Sequence, residues 1–216
     1  RDRSYFLNQR TGKPVKSRSC RSCSRSAHTL QDVIKMTREE TIRQCYQVPG
    51  QMWPTELGWL YDNISHSTSH AEIGTYCGRS LLASCAGMSP GSVVVSVDDA
   101  SQWPYPEWVD VVQAATLKLL PGHLNVSSLR MHSIDAAREC QRLGHKFDSI
   151  FIDADHNYAE CRADIEAWRT LLKPGGLICG HDYWTQDVGV MDAVNEVFEG
   201  RHQVVPGTRI WWHSIH

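Results

Sequence analysis

This 216-residue chain has no long apolar run and no excess of charge of either sign. A membrane-spanning helix needs about 20 mostly apolar residues, and no stretch approaches that. With no signal-peptide pattern visible, the expectation is a cytoplasmic protein. The 22 basic residues nearly balance the 24 acidic ones, so the chain as a whole carries no nucleic-acid signal. The glycine pattern of dinucleotide phosphate binding, G-x-G-x-x-G, is missing, which weighs against a nicotinamide-dependent oxidoreductase. Cys20-x-x-Cys23 has no second CxxC and no regular histidine pair to complete it. His28 and Cys45 are only distant partners, so a zinc centre is not expected. No internal repeat is visible.

The eight cysteines are scattered. Cys77, Cys85, Cys140, Cys161 and Cys179 fall within expected helices or strands, which suits reduced, buried thiols better than a disulfide framework. Charge is uneven along the chain. Residues 1–28 hold eight basic residues and one acid, a net of +7; taken from the chain's −2, this leaves −9 for the remainder. Residues 1–28 therefore read as a basic, solvated tail. Residues 29–66 read as N-terminal helices over about 30–46 and 55–64, and 67–216 as one α/β domain.

From Ala71 onward apolar strands alternate with helical segments. Strands are expected at 71–74, 92–97, 128–132, 149–152 and 177–180, with helices at 79–87, 106–120, 134–143 and 187–199. A further helix carries Ala163, Ile165, Trp168, Leu171 and Leu172. Lys173-Pro174-Gly175-Gly176 ends it, because proline cannot continue a helix and glycine accepts the turn. Two last strands, near 202–205 and 209–213, meet at Pro206-Gly207. The pattern predicts a doubly wound, mainly parallel seven-stranded sheet with a terminal antiparallel hairpin and an N-terminal helical extension.

Ligands of open parallel sheets bind beyond the carboxyl ends of the strands, so the residues there are the candidates. After the first strand comes Glu72-Ile73-Gly74-Thr75-Tyr76-Cys77-Gly78-Arg79-Ser80. Gly74 and Gly78 permit a tight turn and close approach of a ligand. The second strand ends at Asp98-Asp99, where a carboxylate accepts both hydroxyls of a ribose. Met131-His132-Ser133 stands where an adenine is flanked. The fourth strand runs into Asp153-Ala154-Asp155-His156 and the fifth into His181-Asp182-Tyr183. The aromatic loop Trp103–Trp108 either lines the pocket or stiffens the sheet edge. His66, His70 and Trp211-Trp212 read as structural.

Together EIGTYCGRS, VVSVDD, FDSIFIDADHNY and LLKPGGLICGHDY resemble the class I S-adenosylmethionine-dependent methyltransferases. The likeness is strongest to the metal-dependent small-molecule O-methyltransferases and the cephalosporin-hydroxylase-like group, over roughly residues 55–214. The resemblance implies a Rossmann-like sheet and a methyl donor held by Glu72, Gly74, Gly78, Asp98 and Ser133, with Thr75, Ser80 and Asp153 beside them. It also implies a divalent cation, magnesium or manganese, on Asp153, His181 and Asp182. His181 stands where a carboxylate is usual, which favours manganese, another transition metal or no metal over magnesium. Asp155 or His156, beside Asp153, would take the acceptor's proton. The implied partner is a small-molecule hydroxyl acceptor, and the resemblance extends to a homo-oligomer. A cofactor-binding module without catalysis is the alternative.

Overall fold

A computed structural model describes residues 36–214. The basic tail and the Cys20–Cys23 pair lie outside the described residues. The helix expected from Leu30 lies partly outside them, and its described part is α1 (Arg38–Cys45). α1 opens with a capping box, in which Thr37 and Glu40 each accept the other's backbone N–H. α2 (Pro54–Ile64) starts with proline in its first turn, where a missing N–H costs nothing.

The sheet follows in alternation with helices: β1 (Ser69–Ile73), α3 (Arg79–Cys85), β2 (Val93–Val97), α4 (Pro106–Leu117), β3 (Asn125–Leu129), α5 (Ser133–Arg142), β4 (Phe147–Ile152), α6 (Tyr158–Arg169), β5 (Leu172–Gly180), α7 (Val188–Phe198), β6 (Gln203–Val204) and β7 (Trp211–Ser214). The strand order is β3-β2-β1-β4-β5-β7-β6. The first five strands run parallel, and β7 is antiparallel to both β5 and β6. The expected seven-stranded sheet with a terminal hairpin is therefore present.

Both faces of the sheet are covered, as a parallel sheet requires. Side chains alternate across a strand. Ala71, Ile73, Val95, Val97, Ile150 and Ile152 face one core with Ala136, Ile165, Trp168, Val194 and Phe198. Val94, Phe151 and Cys179 face the other, with Leu57, Leu60, Ile64, Leu81 and Leu82. α2 thus packs into the sheet's own core. The six cysteines among the described residues are free and buried, as expected.

Two elements differ from expectation. β3 lies three residues earlier, at Asn125–Leu129, because its pairing with β2 through Val93↔Asn125 and Val97↔Leu129 sets the register. The strand after α6 begins at Leu172, so Lys173–Gly176 lies within β5. The register against β4 shifts there between Phe147 and Ser149, and the turn residues form an irregularity in the ladder.

Candidate active site

The strand registers determine which side chains meet. Ile73 pairs with Val97 on one side and Ile152 on the other, and Ile152 pairs with Gly180. The next residue of each strand therefore stands in one row along the carboxyl edge, in the order Asp98, Gly74, Asp153, His181. Backbone bonds extend the ladder through them: Gly74 N to Val97 O at 2.9 Å, Asp153 N to Ile73 O at 2.8 Å, and His181 N to Ile152 O at 3.1 Å. Three strand spacings separate the ends of this row, roughly 14 Å. A cavity of about 520 Å³ opens over it, lined among others by Gln51, Gly74, Asp98, Trp103, Asp153 and His181.

At the first end, Asp98 Oδ2 accepts the Tyr76 N–H at 2.6 Å and Oδ1 accepts the Ala100 N–H at 2.7 Å. Each oxygen keeps a lone pair for a hydroxyl. Burial raises the Asp98 carboxyl, opposed by those backbone bonds and by Arg130. Tyr76 stacks on Trp103, with ring centroids 3.9 Å apart, and both line the cavity. The expected aromatic contribution is thus Trp103, while Tyr105 and Trp108 of the same loop are exposed.

In the middle of the row, Gly74 has φ +83°, and a Cβ there would lie 2.0 Å from the Asp153 carbonyl oxygen. Only glycine fits between the two strand ends. Gly78 is left-handed too and caps α3.

At the far end one carboxylate oxygen or imidazole nitrogen from each of Asp153, His181 and Asp182 lies within 4.8 Å of the others. His181 Nδ1 is 3.2 Å from Asp182 Oδ2 and 3.9 Å from Asp153 Oδ1. His156 Nε2 is 3.1 Å from the same Asp182 oxygen. Arg209 approaches Asp182 Oδ1 at 3.4 Å, and its guanidinium lies 3.5 Å from the Trp184 ring centroid. Burial raises the Asp182 carboxyl, but His156 and His181 outweigh it and leave the group far below the ordinary range. For His181 burial opposes the charge, yet Asp182, Glu56 and Asp153 raise it to about 10. Hydrogen bonding to Asp182 takes His156 to about 9, and desolvation takes Asp153 to about 6 despite His181.

The donor set fits a divalent cation. Two carboxylates and an imidazole converge on one point, and mixed oxygen and nitrogen donors suit manganese, cobalt or zinc better than magnesium.

Other expected site residues are placed as follows. Gly74, Asp98, Ser133, Asp153, Asp155, His156, His181 and Asp182 line the cavity, whereas Glu72, Thr75, Gly78 and Ser80 are not among its lining residues. These four support the glycine turn from below: Ser80 donates to Glu72 Oε1 at 3.0 Å, and Ser96 donates to Thr75 Oγ1 at 2.9 Å. Asp155 accepts from Gln102 Nε2 and the Asn157 N–H, both at 2.7 Å. Asn157, rather than an acid of the loop, caps α6. Ser133 accepts the Trp168 indole N–H at 2.9 Å. His70 is buried against Ser149, and Trp211 is in the core, as expected.

Two lining or flanking acids had no sequence signal as site residues. Asp164, on the buried side of α6, lines the cavity, and burial raises it to about 6. Glu56, in the first turn of α2, is 1% exposed and sits behind His181. Its position looks like an ordinary helix-start acid, so nothing in the local pattern distinguishes it.

Residues 71–183 match the family described as "Methyltransferase domain". The chain belongs to this family. Its members and this sheet are of the class I S-adenosylmethionine-dependent type. That decides against the nicotinamide-dependent reading. No curated protein sequence matches the methyltransferase significantly. Among solved structures, it is similar to an O-methyltransferase from Bacillus cereus in complex with S-adenosylhomocysteine, at TM-score 0.60 and 19% identity, over 86% of this chain and 94% of the other. It is also similar to the O-methyltransferase TomG from Streptomyces achromogenes, involved in tomaymycin synthesis and bound to S-adenosylmethionine, at TM-score 0.58 and 15% identity, over 82% and 90%. At these identities the likeness is one of fold. Among the described residues no helix is long and apolar enough to cross a membrane.

Proposed function

We propose that this methyltransferase moves the methyl group of S-adenosylmethionine to a hydroxyl of a small molecule, with a divalent cation on Asp153, His181 and Asp182. The observation that carries this reading is the row along the carboxyl edge. It sets a ribose acceptor, Asp98, and a glycine floor, Gly74, in one cavity with the convergent donors. The solved neighbours that are O-methyltransferases, one of them involved in tomaymycin synthesis, support the hydroxyl acceptor.

Asp98 holds the ribose hydroxyls, while Gly74 lets the sulfonium approach the backbone. Ser133 and Asp153 border the donor; Glu72, Thr75, Gly78 and Ser80 act on it by shaping the turn. A bound cation would lower the pKa of the acceptor hydroxyl and fix its position. Methyl transfer is an in-line displacement, in which the acceptor oxygen forms the new C–O bond as the C–S bond breaks. Alignment is therefore the main contribution of the protein. The hydroxyl proton goes to Asp155 or His156. Gln102 and Asn157 fix the orientation of Asp155 through their hydrogen bonds. His156, paired with Asp182, serves once it has lost its own proton. Residues 36–64 belong with the domain in this reading, and the free, buried thiols fit a reducing, cytoplasmic setting.

The test is a calorimetric titration of metal-stripped protein with S-adenosylhomocysteine, without metal, with magnesium and with manganese. Transfer of labelled methyl to catechol and polyol acceptors follows. Micromolar binding with metal-stimulated transfer is expected; no binding under any condition would overturn the reading.

A further inference from the structure

Beyond the two carboxylates and one imidazole that converge, a third acid, Glu56, stands beside the cluster and has none of the expected roles. Glu56 Oε2 accepts the Trp53 N–H at 2.8 Å, and Oε1 accepts the Arg209 N–H at 3.0 Å. The carboxylate is therefore clamped between the start of α2 and the turn that leads into β7. Its Oε1 also stands 3.1 Å from His181 Nε2. That nitrogen is shut off from solvent and makes no hydrogen bond among the described residues; the Glu56 contact is close in distance but not aligned as one. The opposite ring nitrogen, Nδ1, faces Asp182 and Asp153.

The two ring nitrogens of His181 thus face different chemistry, with one carboxylate behind and two in front. A histidine that ligates a metal through one nitrogen usually gives its other N–H to a carboxylate, which fixes the tautomer, orients the ring and makes the ligand more basic. We propose that Glu56 is the positioning residue of the cation site, holding the proton on His181 Nε2 so that Nδ1 is the metal-ligating nitrogen. The inference rests on the cation reading of Asp153, His181 and Asp182. It goes further by bringing α2, which precedes the methyltransferase match, into the site.

The two backbone hydrogen bonds fix the Glu56 carboxylate beside the His181 ring. An amide in its place offers one acceptor oxygen instead of two. It therefore cannot serve both backbone donors and the imidazole.

The experiment titrates metal-free wild type, E56Q and D153N with cobalt(II), followed by the cobalt absorption spectrum, and each protein with S-adenosylhomocysteine without metal. Expected are cobalt affinity about 10–100-fold weaker in E56Q and S-adenosylhomocysteine affinity unchanged. Nitrogen-15 NMR of histidine-labelled wild type loaded with zinc should place the metal on His181 Nδ1 and the proton on Nε2. Wild-type cobalt affinity in E56Q, with binding lost in D153N, would overturn the role of Glu56 and leave the site standing. No cobalt binding by wild type would overturn both. If E56Q fails to fold, the NMR result decides, and zinc on Nε2 overturns the proposal.

Discussion

Asp98 Oδ2 accepts the backbone N–H of Tyr76 at 2.6 Å, tying the end of β2 to the turn that follows β1. The same carboxylate lines the cavity, so one side chain both shapes the glycine turn and faces the proposed ribose position. Asp98→Ala should weaken S-adenosylhomocysteine binding roughly 10–100-fold, the scale of lost hydrogen bonds to a charged group. Calorimetry on the variant checks this, and unchanged affinity would remove the ribose role.

Gly74→Ala should be costly for two reasons, a left-handed φ and a Cβ 2.0 Å from the Asp153 carbonyl. Gly144 has a similar φ, +75°, with nothing within 4 Å, so Gly144→Ala isolates the backbone term. We expect the Gly144 variant to lose about 1–2 kcal/mol and the Gly74 variant at least ~3 kcal/mol. At roughly 2–4 °C per kcal/mol in a domain of this size, thermal melts separate them. Equal losses would mean that β1 and β4 are not in contact at this level.

Glu72 supplies a pH prediction. It is fully buried at the carboxyl end of β1, and burial raises its carboxyl from about 4.5 to about 8, partly offset by Ser80. The folded state therefore binds more protons than the unfolded state between those values. Stability falls as pH rises through that window. Glu72→Gln removes the dependence, so the difference between the two melting curves should grow in favour of the variant from pH 5 to pH 8. A constant difference would show that Glu72 stays ionised. Comparing the two proteins cancels the opposing effect of buried His70, whose depressed value, about 3, removes stability as pH falls below 6.5.

Asp182→Asn should separate cation from cofactor. Asp182 pairs with His156, His181 and Arg209, all away from the glycine turn in the chain. Manganese affinity should fall more than about 100-fold, beyond the usual effect of an outer-shell change. Metal-free S-adenosylhomocysteine affinity should stay within about twofold. Parallel titrations test both, and loss of cofactor binding alone would reverse the proposed roles. Chelation of wild type should abolish transfer, with manganese restoring it better than magnesium.

The sheet was legible because its signals are local. Val93–Val97 and Phe147–Ile152 are apolar runs, and the acidic or imidazole groups follow them directly. For β3, Ser127 and Ser128 give the centre of the strand no apolar signal, so only hydrogen bonding to β2 sets its position. Lys173–Gly176 has turn residues and still lies inside β5, because β4 on one side holds the backbone extended through a register shift.

Within the site, the chain itself determined that Asp98, Asp153, His181 and Asp182 end their strands, since chain neighbours decide where a strand stops. Tertiary structure alone decided that these ends share one level and that Glu56, 125 positions before His181 in the numbering, lies behind its ring. Strand registers and the packing of α2 on the sheet bring those groups together. Such contacts follow from burial of apolar faces far apart in the chain, and no local pattern encodes which polar atoms that burial will trap side by side.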